Sequence, residues 1–195
     1  MSNKNSDDSL APGWMRKIAD AILERLPARL VKLSSASFSC EPGVVIKTPS
    51  RLTVGHGVAL QRNAILHCGG KSWCNYNGSI KLGNHVIVGQ HCILYGAGTL
   101  EVGDFTHFGP ASMVMAQAGD ADSDERQTTE PGRNHDPVSI GKGVWIGAGA
   151  VILGNTVLGD NCVVGPNSVV SGIYEAGSTL IGNPARLVRR RNTEG

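Results

Sequence analysis

Aliphatic residues recur at every sixth position along most of this chain. In its C-terminal half they stand at Ile140, Ile146, Ile152, Leu158, Val164 and Val170. A period of six is neither the 3.6 of an amphipathic helix nor the 2 of a half-buried strand. The same register runs upstream through Val54, Leu60 and Leu66, then Leu82, Val88 and Leu94, then Val102, Phe108 and Val114, giving fifteen rungs in five sets of three. The next residue carries the threefold grouping. After the first rung of each set comes Gly55, Gly83, Gly103, Gly141 or Gly159; after the second, Gln61, Gly89, Gly109, Gly147 or Gly165; after the third, His67, Tyr95, Met115, Leu153 or Ser171. The true period is therefore eighteen, three short strands per turn of an all-β coil. Glycine at two corners of three predicts sharp bends with φ above zero. Four residues past a rung the side chain is usually compact (Ala64, Cys92, Thr106, Ser112, Ala150, Thr156, Cys162, Ser168), as a narrow triangular interior demands. Tyr174 breaks that pattern and reads as the end of the coil.

Every interruption of the register follows a third rung. The step from Leu66 to Leu82 is 16, from Leu94 to Val102 it is 8, and from Val114 to Ile140 it is 26. Because successive turns stack, these three insertions project from one edge of a prism, and loops on a rigid scaffold are where sites are built. Residues 1–13 read as a disordered tail. Trp14, Ile18, Ile22 and Leu26 repeat at four, so 14–26 predicts an amphipathic helix interrupted at Pro27, within a helical cap over 14–38 that covers the open end of the coil. Membrane-surface contact through the basic stretch 14–33 is the second reading of that helix. The coil takes 39–182, with a long loop at 115–139. Asn183-Pro184 predicts the N-cap and first turn of a short basic helix leading into a tail over 183–195.

Composition narrows the function. Lys and Arg number 18 against 16 Asp and Glu, a formal charge of +2 that argues against nucleic-acid binding. Glycine, 26 of 195 residues, is too abundant for helix bundles, while 41% hydrophobic content is too apolar for disorder. The first residues lack an apolar secretory core, and five cysteines form no CxxC pair, which together predict a cytoplasmic protein with reduced thiols.

The stretches Val138–Leu153 (VSIGKGVWIGAGAVIL), Leu158–Ser171 (LGDNCVVGPNSVVS) and Ile181–Arg186 (IGNPAR) resemble the hexapeptide-repeat acyltransferases, in particular the galactoside, maltose and polysaccharide O-acetyltransferases. The resemblance covers residues 45–190. It implies a left-handed parallel β-helix of about five three-sided turns and a homotrimer with sites at the subunit junctions. It also implies acetyl-CoA as acyl donor and a saccharide or related small molecule as acceptor. In such enzymes a histidine at the start of the long loop takes the acceptor proton, work suited to a side chain that titrates near neutrality.

Here the chain departs from its relatives. The family's Asn-His pair falls on Ala118 and Gly119, neither of which moves a proton. His135, where the long loop returns, is the first substitute. His107, on another corner of the register, is the second. His67 opens the first insertion two turns away, and His56, His85 and His91 read as exposed side chains. By resemblance Ala148, Pro166 and Ser171 line the pantetheine groove, Arg186 and Arg189 meet the CoA phosphates, and Trp145 stands beside the acceptor. Tyr95, at the loop corner, joins Trp145 as a candidate acceptor contact. Gly172 replaces a lysine common in the family and removes one phosphate contact.

Other chemistries fit less well. Asp120-x-Asp122-x-Asp124 opens like a calcium loop, but Glu125 and Pro131 occupy the positions that need glycine and glutamate. No two histidines share a column, so a trimer-junction zinc site is not expected. Cys68 and Cys74 lack further ligands and read as buried or free thiols. The rival to an enzyme is a non-catalytic trimer on the same scaffold, which the missing histidine would equally produce.

Overall fold

The computed structural model describes residues 38–70, 74, 77–117 and 136–191. Its strands build three sheets, one per face of a triangular coil. The first face stacks Leu52–Val54, Ile80–Leu82, Leu100–Val102, Val138–Ile140, Val157–Leu158 and Ile173–Tyr174. The second stacks Phe38–Cys40, Val58–Leu60, Ile87–Val88, His107–Phe108, Trp145–Ile146, Val163–Val164 and Ser178–Gly182, and Ala185–Arg190 closes it. The third stacks Val45–Lys47, Ile65–His67, Ile93–Tyr95, Met113–Met115, Val151–Ile152 and Val169–Val170.

The sixfold register is the register of the sheets. Leu66 pairs with Leu94, Leu94 with Val114, Val114 with Ile152, and Ile152 with Val170, all parallel. On the second face Leu60, Val88, Phe108, Ile146 and Val164 form the corresponding column. All fifteen rungs are buried except Val54, which is half-buried against the same core. The compact positions are buried too, and the polar ones tie down corner carbonyls. Thr106 Oγ1 donates to Gly141 O at 2.9 Å, and Thr156 Oγ1 to Leu153 O at 2.6 Å. Small polar side chains thus satisfy backbone groups that the corners would otherwise bury unpaired.

The reason for the corner glycines differs from the expected one. Positive φ falls three residues past the rung, on Asn63 (59°), Asn155 (59°), Asn161 (57°) and Asn167 (54°) among others, while the glycines directly after the rungs do not adopt it. What those glycines lack is room. A Cβ on Gly147 would lie 2.5 Å from Pro166 N and 2.7 Å from Gly165 C, the backbone of the next turn. Stacked turns about 4.8 Å apart leave no space for a side chain there.

Two expectations about the end of the coil are corrected. Tyr174 does not end it. After a shortened step from Val170, Tyr174 takes a rung position on the first face opposite Leu158, and its hydroxyl donates to Ser171 O at 3.0 Å. Leu180, six residues on, continues the second face opposite Val164. Nor does a helix follow Asn183-Pro184, whose peptide bond is cis. Ala185–Arg190 is a strand that turns back antiparallel on Ser178–Gly182. The last turn exposes a row of donors and acceptors on Ser178–Gly182, and the returning strand occupies them. The expected N-terminal helix and tail, like most of the long loop, lie outside the described residues. Among the described residues no helix is long and apolar enough to cross a membrane.

Gly147→Ala should lower stability by about 1–3 kcal/mol, because the clash is with backbone. Gly149→Asn should cost less than Gly147→Ala, because its φ of 67° suits asparagine and the added Cβ meets only the movable Asn167 amide. Denaturant midpoints of the two variants check the contrast.

Candidate active site

The three insertions do leave from one edge, between the third and first faces. Gly96 N donates to His67 O at 2.9 Å, and Thr99 O accepts from Val138 N at 3.0 Å, so the ends of successive insertions stack. The long loop departs at Ala116 and returns at Asp136. Both of its ends press on Gly98, where a Cβ would lie 2.5 Å from Ala116 O and 2.4 Å from Asp136 N. Asp136 Oδ1 also accepts from Asn155 Nδ2 at 2.6 Å on the next turn. His135 and the vacant family position Ala118-Gly119 lie outside the described residues.

Tyr95 stands on this edge, directly above His67. The rings meet edge to face, with centroids 5.2 Å apart and planes at 73°. His67 is only 7% exposed. Burial, with the Lys47 ammonium as the smaller contribution, holds its imidazole below the ordinary value of 6.5. Cys68 and Cys74 are buried in the same insertion, and Gly78 N donates to Cys74 Sγ at 3.3 Å.

His107 is not on a corner. It lies on the second face, opposite Trp145 in the next turn, and the ring centroids are 4.5 Å apart at 56°. Trp145 is 52% exposed, so the pair forms a half-open aromatic step on an otherwise short-chained face. The outward column continues through Val163 and Thr179 to Arg189 on the returning strand. Ala148 and Pro166 adjoin this face on consecutive turns of the next corner, where Asn167 N donates to Ala148 O at 2.9 Å. Ser171 and Gly172 lie instead on the insertion edge. Of the terminal arginines, Arg190 pairs with Glu175, and Arg191 Nη2 reaches Asn161 O at 3.4 Å. Arg186 and Arg189 are exposed. In a three-sided prism the insertion edge is opposite the second face. One chain therefore carries the candidate residues in two groups, with its core between them.

Residues 137–172 match the family model described as bacterial transferase hexapeptide, six repeats. The match covers less than a fifth of the chain. Its fold is the left-handed parallel β-helix shared with a variant of AntD, an N-acyltransferase from Bacillus cereus in complex with dTDP and coenzyme A. That structure is 21% identical, with a TM-score of 0.66 over 80% of this chain and 84% of AntD. A hexapeptide-repeat-containing acetyltransferase from Vibrio cholerae is similar at 24% identity and a TM-score of 0.60, over 73% of this chain and 76% of that one. Nodulation protein L of Rhizobium leguminosarum bv. viciae is 39% identical over 115 residues, 58% of this chain. Nodulation protein L of Rhizobium meliloti is 37% identical over the same length. The chain spans 59% and 61% of these two curated relatives.

The pairing of His107 with Trp145 was missed from sequence, although the signal was present. Each residue sits one position before its rung, Phe108 or Ile146, in consecutive turns, which puts them in one column.

The buried His67 yields a pH dependence. Below 6.5 the unfolded chain takes up a proton that the folded chain resists, so stability should fall as pH drops through 6.5 toward the lower folded value. Urea midpoints measured at about pH 7.5 and about pH 5.5 should diverge less for His67→Gln than for the wild type, and equal divergence would remove His67 as the cause.

Proposed function

We propose that the protein is a CoA-dependent acyltransferase, of the kind that acetylates galactosides, maltose and polysaccharides, working as a homotrimer. It moves an acetyl or other short acyl group to a hydroxyl or amine of a saccharide acceptor. The observation that carries this reading is the division of the candidate residues between one face and the opposite edge. A site that contains both groups forms only where the edge of one copy meets the face of another, as closed symmetric assemblies permit.

The second face suits the acyl donor. From His107 to Arg189 the column takes four strand steps, about 19 Å at about 4.8 Å each. An extended pantetheine arm can lie along it with its thiol end at the His107–Trp145 step and its phosphates at Arg189, whose planar fork binds phosphate through paired hydrogen bonds. Arg186 is the second phosphate candidate, and Ala148 and Pro166 offer backbone along the adjoining corner.

Bound acyl-CoA supplies the activated carbonyl. His107 takes the proton of the acceptor hydroxyl while that oxygen bonds to the acyl carbon and the carbon–sulfur bond breaks; the same imidazole then returns the proton to the departing thiolate. Trp145 holds the ring of His107 and shields the step from water. Tyr95 and Ser171, on the neighbouring copy's insertion edge, close the site. His135 on that edge is the alternative base, and the vacant Ala118-Gly119 position favours a second reading, a trimer that binds CoA without turnover.

Calorimetric titration with acetyl-CoA, thiol release with a saccharide panel, and mass by light scattering separate these readings. Saturable binding, acceptor-dependent release and a trimer are expected; binding without release across the panel would favour the non-catalytic reading. His107→Ala should lower turnover by about 10²-fold or more with CoA affinity intact. Loss in His135→Ala alone would transfer the role to the edge. Arg189→Ala should weaken CoA binding about tenfold, the worth of a charge-assisted hydrogen bond.

A further inference from the structure

The corner between the first and second faces carries a feature that the acyl-transfer chemistry does not use. Phe105 adopts a left-handed backbone, φ 58°, at a corner position that elsewhere takes asparagine, glycine, histidine or alanine and here carries the bulkiest side chain of its kind. For a bulky side chain that conformation is a genuine outlier, and such strain concentrates at functional positions. The ring is also 65% exposed.

Its orientation follows from the column. Side chains at this corner lean toward the preceding turn: a Cβ on Gly57 would lie 2.5 Å from His85 Nδ1, and one on Gly143 would lie 2.7 Å from Asn161 Oδ1. Phe105 leans on His85 in the same way, with ring centroids 5.0 Å apart and planes within 12°. The next residue of the column is Gly143, whose N–H donates to Asp104 O at 2.8 Å and which has no side chain to lay over Phe105. One ring face is thus held by His85 and the other is uncovered. Above it a slot opens, walled by the Gly143 backbone and roofed by the Asn161 amide two turns on, about 10 Å away at the spacing of stacked strands.

The surroundings select a ligand class. Asp104 turns its carboxylate away from the slot, to the preceding turn, where Asn84 N donates to it at 2.7 Å and holds it below the ordinary carboxylate range. Asp160 Oδ1 accepts from Lys142 N at 2.8 Å. On the first-face side of the corner Lys142 and Asp160 also border a hollow of about 450 Å³, with Lys81, Glu101 and Ser139 along it. An uncovered aromatic face with the Asp160 carboxylate and the Lys142 ammonium beside it matches a pyranose. The axial C–H groups of such a ring, slightly positive, lie on the negative ring face while its hydroxyls meet the charged rim.

We infer that Phe105, backed by His85 and left uncovered by Gly143, is the platform on which a pyranose ring of the acceptor stacks, with further sugar units in the adjoining hollow. This rests on the acyltransferase reading and deepens it. Phe105 is two residues from His107, about 7 Å along the backbone, so a sugar stacked there presents hydroxyls toward the imidazole.

Two variants test the platform without attacking the fold. Phe105→Asn removes the ring and installs the residue that native corners use, so its melting temperature should equal or exceed that of the wild type. Gly143→Asn closes the slot in the same idiom. In both, the acceptor KM should rise about tenfold or more while the acyl-CoA KM stays put, and saturation-transfer signals from methyl glucoside, galactoside and mannoside should vanish. Thiol release with an unchanged acceptor KM in Phe105→Asn would overturn the platform and leave the acyltransferase standing. Saturation transfer lost in the variants, without thiol release from any acceptor, would keep the platform and sink the transferase. A loss of trimer mass in Phe105→Asn with saccharide binding unchanged would make Phe105 a subunit contact instead, and no saturation transfer in the wild type would also overturn the proposal.

Discussion

Successive turns of this chain are joined by backbone hydrogen bonds of ordinary length, Gly109 N to Ile146 O at 2.7 Å and Gly147 N to Val164 O at 2.8 Å among them. That bond sets the rise of the coil, and the rise sets the sequence. With neighbours about 4.8 Å above and below, the residue after a rung at the first two corners has backbone where its Cβ would be, so glycine stands there everywhere but at Gln61. The bend is made three residues on, where asparagine tolerates positive φ. The interior is a narrow triangle, so one inward position per strand takes a rung and the other takes a compact side chain, Ala, Cys, Ser or Thr at most corners and Val58, Val86 and Val144 on the second face.

The same constraint decides where the chain can be interrupted. At the third corner the residue after the rung is never glycine, and there the turns need not stack directly, because the chain leaves the prism before starting the next strand. Tight packing is displaced to the insertion ends, where Gly78 meets Gly96 O and Gly98 meets both ends of the long loop. One corner can therefore grow loops while two remain rigid. The result is a scaffold with an insertion-bearing edge opposite an uninterrupted face.

The register, the buried rungs, the compact interior and the insertion edge were legible because each repeats at a fixed interval, and repetition is visible in one dimension. Three things were not. The glycines were legible as corners, but their cause is steric contact between residues eighteen or more apart, such as Gly147 and Pro166. Asn183-Pro184 carries local helix-start chemistry, yet the open sheet edge beside it outweighs a local preference once the coil exists. The step of His107 on Trp145 spans the longest insertion, so linear distance hides it while the column offset reveals it. Phe105 was hidden differently: nothing in its neighbours in sequence signals that Gly143, one turn away, leaves its ring uncovered.

The placement of the imidazoles bears on how such a site can change while its scaffold stays fixed. In the proposed trimer, a junction between the insertion edge of one copy and the second face of the next would offer two banks from which a base could reach the same reacting atoms. By resemblance the usual bank is the edge, where Ala118-Gly119 offers no proton acceptor. His107 lies on the second face, beside Trp145. With His107 as the proposed base, a loop would be exchanged for a rigid strand, and adaptability for a ring orientation fixed by packing, the kind of positioning on which proton transfer within hydrogen-bond reach depends. The proposed base and the proposed sugar platform would then stand two residues apart on one copy, so that acceptor orientation would be set by one rigid body and only the closing wall would come from its neighbour.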